Sequence, residues 1–373
     1  MIAVPPAVLA VAERLPGDRP AYVYDLAGLD AHAGAVRRAL GDVELYYAVK
    51  ANPDAEILRV LARHVDGFEV SSGGELAHVR AVAPEMPVAL GGPGKTAAEL
   101  AQAAGVARLH VESPNELRRL LDLGGGPVQV LLRLNLDIPV AGAALAMGGG
   151  ATPFGMDEHG MRECLELLPA QPRVRLRGVH AHLASGLGAP ELLALAGAVL
   201  GDARGLGHTE ADLEVNLGGG MAVSYTEPAT RFDWPAYGSG LRALRRPGET
   251  LRVEPGRAMT AYCGWYLTRV IDVKRVHGQT FAVVTGGTHH LRTPVTKGHD
   301  QPFAVVPGPE NRPREEPVTI VGQLCTPKDV FARQVPASLA PGDVVAFAMA
   351  GAYAWNISHH DFLMHEKPAF HYV

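Results

Sequence analysis

Cysteine is scarce in this chain: Cys164, Cys263 and Cys325 are the only three among 373 residues. They are too few and too scattered for a disulfide framework or a zinc knuckle, which points to a reducing cytoplasm. Long apolar runs are missing as well, since none reaches the ~18 uninterrupted residues of a membrane helix. The opening MIAVPPAVLAVAERL holds two prolines and no basic leader, so neither a membrane span nor a targeting signal is expected. No Lys/Arg block occurs and the formal charge is −5. That balance argues against nucleic acid or a membrane surface as partner and favours a small, anion-tolerant substrate.

What is present is apolar and ordered in pattern. At 47% apolar and 20% charged residues, the chain is larger than one small core needs, and two domains are expected. From Leu45 onward short apolar runs alternate with segments of helical period. The runs are LYYAVK, GFEVSS, PVALGG, RLHVES, VQVLLRLNL, RVRLRGVHAHL, DLEVNLGG and LRVEPG. Eight strands, seven crossover helices and a leading helix LAGLDAHAGAVRRAL predict an α/β fold, a (β/α)8 TIM barrel over 25–255. Beyond it GWYLTRVIDVKRV, TFAVVTGG, VTIVGQLC and DVVAFAMAG lie between Gly/Pro turns. Residues 1–24 and 256–373 are therefore expected to form an antiparallel β-domain, with PAYVYDL adding a strand.

Side chains at the C-terminal ends of barrel strands face the active site. Here those ends carry Lys50, Ser71, Lys95, Glu112, Arg133, His180, His182, Ser185, Gly218 to Gly220, Glu254 and Arg257. The HAH pair, His180 and His182, has the alternate spacing of metal ligands on a strand. With no further His or Asp expected at another strand end, no metal is predicted. GGPGKT resembles the end of a nucleotide phosphate loop, but Ala89 stands where the first glycine is required, so a plain barrel loop is the better reading. Pyridoxal 5'-phosphate (PLP) uses more of these residues. It needs a lysine amine to hold its aldehyde carbon, backbone N–H groups for its phosphate and an acid for its ring nitrogen. Lys50, the triglycine turn leading into a helix and Glu254 supply them. Taken singly, each has a bland reading as solvated lysine, tight turn or surface salt bridge. Their joint position at three strand ends does not.

YYAVKANPDAEILRVL, GFEVSSGGEL, GPGKT, GVHAHLASG, NLGGGM, EPGRAM, GQLCTPKDV and GAYAW occur in that order. In this the chain resembles the fold-type III PLP-dependent decarboxylases, which act on diaminopimelate, ornithine or arginine and share an alanine-racemase-like barrel. The resemblance implies that Lys50 carries PLP and that His182 stacks on its ring. It gives the phosphate to Ser185, Gly218, Gly219, Gly220, Gly256, Arg257 and Tyr353, and the ring nitrogen to Glu254. It makes Cys325 a residue that a neighbouring subunit inserts, hence a homodimer with shared sites.

A carboxylate at the ring nitrogen keeps that nitrogen protonated and favours loss of CO2 over racemisation. Cys325 is then the acid that returns a proton, since a thiol's ordinary pKa of about 8.5 leaves it uncommitted near neutrality. Its bland reading is a small buried apolar residue. In the diaminopimelate enzymes a glutamate follows this cysteine and holds the substrate's distal amine, whereas this chain has Thr326. GGTHHLRTP instead brings His289, His290 and Arg292, donors suited to carboxylates. GGTHHLRTP and GAYAWNISHHDFLMH resemble most a siderophore-biosynthesis branch of the staphyloferrin B type, whose substrate is citrate amide-linked to 2,3-diaminopropionate. Alternatives are a diaminopimelate decarboxylase, a decarboxylase of a carrier-protein-bound glutamyl group, and a non-catalytic relative that binds a partner. Retention of Lys50, the triglycine and Glu254 weighs against the last.

Overall fold

A computed structural model describes residues 2–138, 145–170, 172–206, 213–308 and 313–373. The chain divides into two compact units, His32–Ala222 with Phe232–Ala258, and Met1–Ala31 with Val223–Arg231 and Met259–Val373. The first boundary falls inside the helix Leu26–Leu40.

The first unit contains a closed, all-parallel barrel of Glu44–Ala48, Gly67–Val70, Val88–Leu90, Arg108–Val111, Val128–Arg133, Val174–His180, Leu213–Asn216 and Glu249–Val253. These eight correspond one to one with the apolar runs of the sequence. Closure comes through Arg252 and Val253 pairing with Glu44 and Leu45. Most crossover helices begin where a short polar side chain can accept the first free N–H groups, the exception being Ala189–Gly205, which follows Gly188 without a side-chain cap. Asp54 caps Ala55–Leu61, Ser72 caps Gly73–Val82, Ser113 caps Pro114–Asp122, and Asp233 caps Trp234–Leu244. Thr96 and Glu99 form a reciprocal capping box. The helix after it is shorter than TAAELAQAAGV suggests, one α turn at Ala97–Leu100 and a 3-10 turn at Ala103–Gly105.

Strand alternation puts every second residue inside the barrel. Its lower interior is ionic rather than aliphatic. Glu214 accepts Arg108 and, at 3.1 Å, the Arg177 Nε. Arg252 pairs with Glu44 and lies over the Tyr46 ring, 4.3 Å from its centroid. Burial of these charges is tolerated because each is paired.

The second unit is built on Gly264–Val276, a strand that serves two sets of partners. Its first half pairs with Ala21–Tyr24 and Val344–Phe347, and its second half with Gln279–Val284 across an irregularity at Val270/Asp272. Tyr22, Tyr266, Phe331 and Phe347 fill the core, with Phe331 and Phe347 centroids 4.6 Å apart. The strand expected in PAYVYDL is present. Three others, Phe303–Val306, Val330–Ala337 and Ala369–Tyr372, were not expected. Polar residues and Pro336 interrupt the second, and the third is too short to show a period. The sheet is also not purely antiparallel, since Ala21–Tyr24 with Ala369–Tyr372 and Gln279–Val284 with Glu316–Val321 run parallel.

Candidate active site

The barrel's upper interior holds Lys50, His182 and Glu254 among the expected residues. Lys50 stands in a 3-10 turn directly after the first barrel strand, and its Nζ donates to Glu69 Oε2 at 2.6 Å. The lysine side chain is 43% exposed while Glu69 is 5% exposed, so an open amine is tethered to an inner carboxylate. Ser71 Oγ donates to the other Glu69 oxygen at 2.9 Å, which fixes that carboxylate in turn.

On the sixth strand and the loop after it, His182 is reached by the Gly219 N–H, which donates to Nδ1 at 3.1 Å. Burial, with the Lys50 and Arg133 charges adding, lowers its pKa to about 3. The ring is thus neutral, with its proton on Nε2. Glu254, at the end of the eighth strand, accepts Asn216 Nδ2 at 2.6 Å and lies 3.3 Å from His180 Nε2. His110 stacks on His180 with centroids 4.1 Å apart. Burial drives the pKa of both rings well down.

The triglycine turn is required by space. Gly218 and Gly220 have φ of +65° and +101°, and a Cβ on them would lie 2.7 Å from His182 and 2.2 Å from the Ala184 carbonyl. The turn departs from expectation in two respects. It does not lead into a helix, because the next one begins at Trp234. Its Gly218 N–H donates to Asn216 Oδ1 at 3.0 Å and its Gly219 N–H to His182, so both are engaged within the barrel. Ser185 lies in a two-residue strand, and Gly220's carbonyl accepts from Gly186 at 2.8 Å. Gly256 directly precedes the short helix Arg257–Thr260.

Other strand-end residues are structural. Lys95 spends its three donors on the Gly92 and His110 carbonyls and Glu116, which removes it as a phosphate lysine. Arg133 pairs with Glu112 at 2.6 Å. The expectation that no further His reaches the site does not hold, because His110, His180 and Glu254 present ligand-capable atoms within 4.8 Å of one another. Glu69, His110 and Asn216 were missed. Each stands two residues before a strand-end residue that was found, so the period of two was the available signal.

In the β-rich unit the remaining residues form their own group. Cys325 is exposed. Buried Asp329 accepts the Leu324 N–H at 2.8 Å and the Thr288 N–H at 2.6 Å, tying the Cys325 loop to the segment before His289. Thr326 Oγ1 accepts the Lys328 N–H at 3.3 Å. His289 and His290 are 0% and 1% exposed, and burial lowers their pKa values to about 4 and about 2. They offer hydrogen bonds but no charge. The cation is Arg292, whose guanidinium donates to His359 Nδ1 at 3.1 Å. Tyr353 has φ of +49°, and its carbonyl accepts Thr293 Oγ1 at 2.8 Å.

The donor set in the barrel fits pyridoxal phosphate: a reachable amine, a neutral imidazole, a pinned carboxylate and a glycine turn that admits no side chain. The family model for the pyridoxal-binding domain of pyridoxal-dependent decarboxylases matches residues 26–261. A Staphylococcus aureus protein, 2-[(L-alanin-3-ylcarbamoyl)methyl]-2-hydroxybutanedioate decarboxylase, is 39% identical, with 94% of this chain and 93% of that one covered. Diaminopimelate decarboxylase of Actinosynnema pretiosum is 34% identical over 90% of this chain and 79% of its own. Among solved structures, a Helicobacter pylori diaminopimelate decarboxylase variant complexed with L-lysine superposes with a TM-score of 0.87 at 25% identity, covering 97% of this chain and 93% of its own. This chain belongs to the pyridoxal-dependent decarboxylases and is a PLP-dependent carboxy-lyase.

Proposed function

We propose that the protein decarboxylates an amino acid whose distal nitrogen is already acylated by a citrate-derived group, as in the substrate that names its Staphylococcus aureus relative, and so serves citrate-type siderophore assembly. The observation that carries this is the charge around Cys325 and Arg292. Thr326 puts a neutral hydroxyl directly after Cys325, a poor partner for a free distal ammonium. Arg292, whose guanidinium lies against His359, supplies a cation suited to carboxylates.

PLP, when bound, supplies the electron sink for the pair that departing CO2 leaves behind. Lys50 holds the cofactor through its amine. Glu69 keeps that amine in place and can take its proton. With the cofactor bound, His182 would pack on its ring, Glu254 would keep a proton on its nitrogen, and Ser185, Gly220, Gly256 and Arg257 would hold its phosphate. Cys325 returns a proton to the carbon that has lost CO2. It comes from a second copy of the chain in a homodimer.

The test is CO2 release with citryl-2,3-diaminopropionate against meso-diaminopimelate. A preference of at least about tenfold in kcat/KM for the conjugate is expected. Preference for diaminopimelate would overturn the reading. Arg292→Leu should raise KM for the conjugate by about 10- to 100-fold, the worth of a charge-assisted pair.

A further inference from the structure

Asn216 binds three groups at once. Its amide nitrogen donates to Glu254 Oε1 at 2.6 Å and reaches His110 Nε2 at 3.4 Å, while its oxygen accepts the Gly218 N–H at 3.0 Å. An amide has two N–H donors, so one serves the carboxylate and the other needs an acceptor. His110 Nε2 is that acceptor, which places the ring's proton on Nδ1. A flipped Asn216 would set its oxygen against Glu254 and its NH2 against the Gly218 N–H. Those two contacts already exclude the flip, and His110 adds to them only while its Nε2 is unprotonated and can accept the second N–H. Asn216 and His110 are both 0% exposed and Glu254 is 7% exposed, so water does not compete for these atoms.

We propose that His110 is a positioning residue which, by accepting the second Asn216 N–H, locks Asn216 and through it holds Glu254 in one orientation against the cofactor's ring nitrogen. The proposal rests on reading Glu254 as that partner. The charged and titratable groups around His110 are His180, Glu254, Arg252 and Lys95. Glu69 is also near, since a Cβ on Gly91 would lie 3.3 Å from both its Oε1 and His110 Nδ1. The stacked His180 and the Arg252 and Lys95 cations all disfavour a charged His110, and burial does so most.

The experiment compares His110→Phe, which keeps the ring and removes the acceptor, with His110→Asn, which can restore one, and with Glu254→Gln. Readouts are the absorption spectrum of bound PLP between pH 6 and 9, kcat and KM separately, and metal content. His110→Phe should lower kcat by about tenfold with KM within about twofold, the scale on which supporting partners of a functional ligand act. It should also shift the pH midpoint of the spectrum by about one unit in the direction of Glu254→Gln. His110→Asn should recover at least half of both changes, and it also answers the question if the phenylalanine variant fails to fold. A native spectrum and kcat in both His110 variants, with Glu254→Gln altered, would overturn the proposal and leave the Glu254 reading intact. An unaltered spectrum in Glu254→Gln would overturn that reading, and the proposal with it. A stoichiometric metal lost in His110→Asn would make the cluster a metal site and overturn the positioning role.

Discussion

Mixing two inactive variants, Lys50→Ala and Cys325→Ala, should restore about a quarter of the native activity. Each variant alone should lose roughly a thousandfold or more if, as proposed, each removes a group that touches the reacting atoms. In a homodimer whose site takes Lys50 from one chain and Cys325 from the other, random exchange makes half of the dimers mixed. Each mixed dimer then has one intact site and one doubly defective one, which gives the quarter. Activity measured after co-refolding or co-expression checks this. No recovery, with exchange confirmed by native mass spectrometry, would show that both residues act within one chain or that the cysteine has no part.

Acid should unfold the protein sooner than its carboxylates alone would cause. His110, His180, His289 and His290 are nearly or wholly buried, and burial lowers the pKa of each. In the unfolded chain they titrate near the ordinary value of about 6.5. As pH falls below that value the unfolded state takes up protons that the folded state refuses, so stability falls with pH. By pH 5.5 each imidazole costs about 1.4 kcal/mol, or about 6 kcal/mol for four, against a total stability of about 5–15 kcal/mol. Glu75, Glu116 and Asp329, whose carboxyls burial pushes up, act in the opposite sense, but only near and above their ordinary range. Urea midpoints between pH 8 and 5 should therefore drop steeply below about pH 6.5. A flat profile down to pH 5 would mean that these rings are protonated in the fold.

Much of this was legible in the sequence because barrel strands are apolar runs of fixed length between caps and turns. LYYAVK and DLEVNLGG announce both a strand and its functional end. What was illegible follows from how parallel strands pair across a crossover. Strand neighbours such as Glu254 and Asn216 are 38 residues apart, and only the pairing of their strands brings them together. Glu69 and His110 sit within apolar runs where a polar residue resembles an interruption, although counting back two from Ser71 and Glu112 finds both. The turn Gly218 to Gly220 showed that it was tight but not where its N–H groups point. That depends on the side chain of Asn216, two residues earlier, and on His182, which arrives from the preceding barrel strand's loop. Burial of His289 and His290 was hidden for a similar reason. HH after a turn looks exposed until Asp329 and the sheet close over it.

The central claim is that Lys50, held by Glu69, is the residue that carries the cofactor. Borohydride reduction of the PLP-loaded protein followed by peptide mapping tests it most directly. The pyridoxyl mass is expected on the peptide containing Lys50, with the reduced protein inactive. Its appearance on Lys95 or any other lysine, with Lys50 unmodified, would contradict the account.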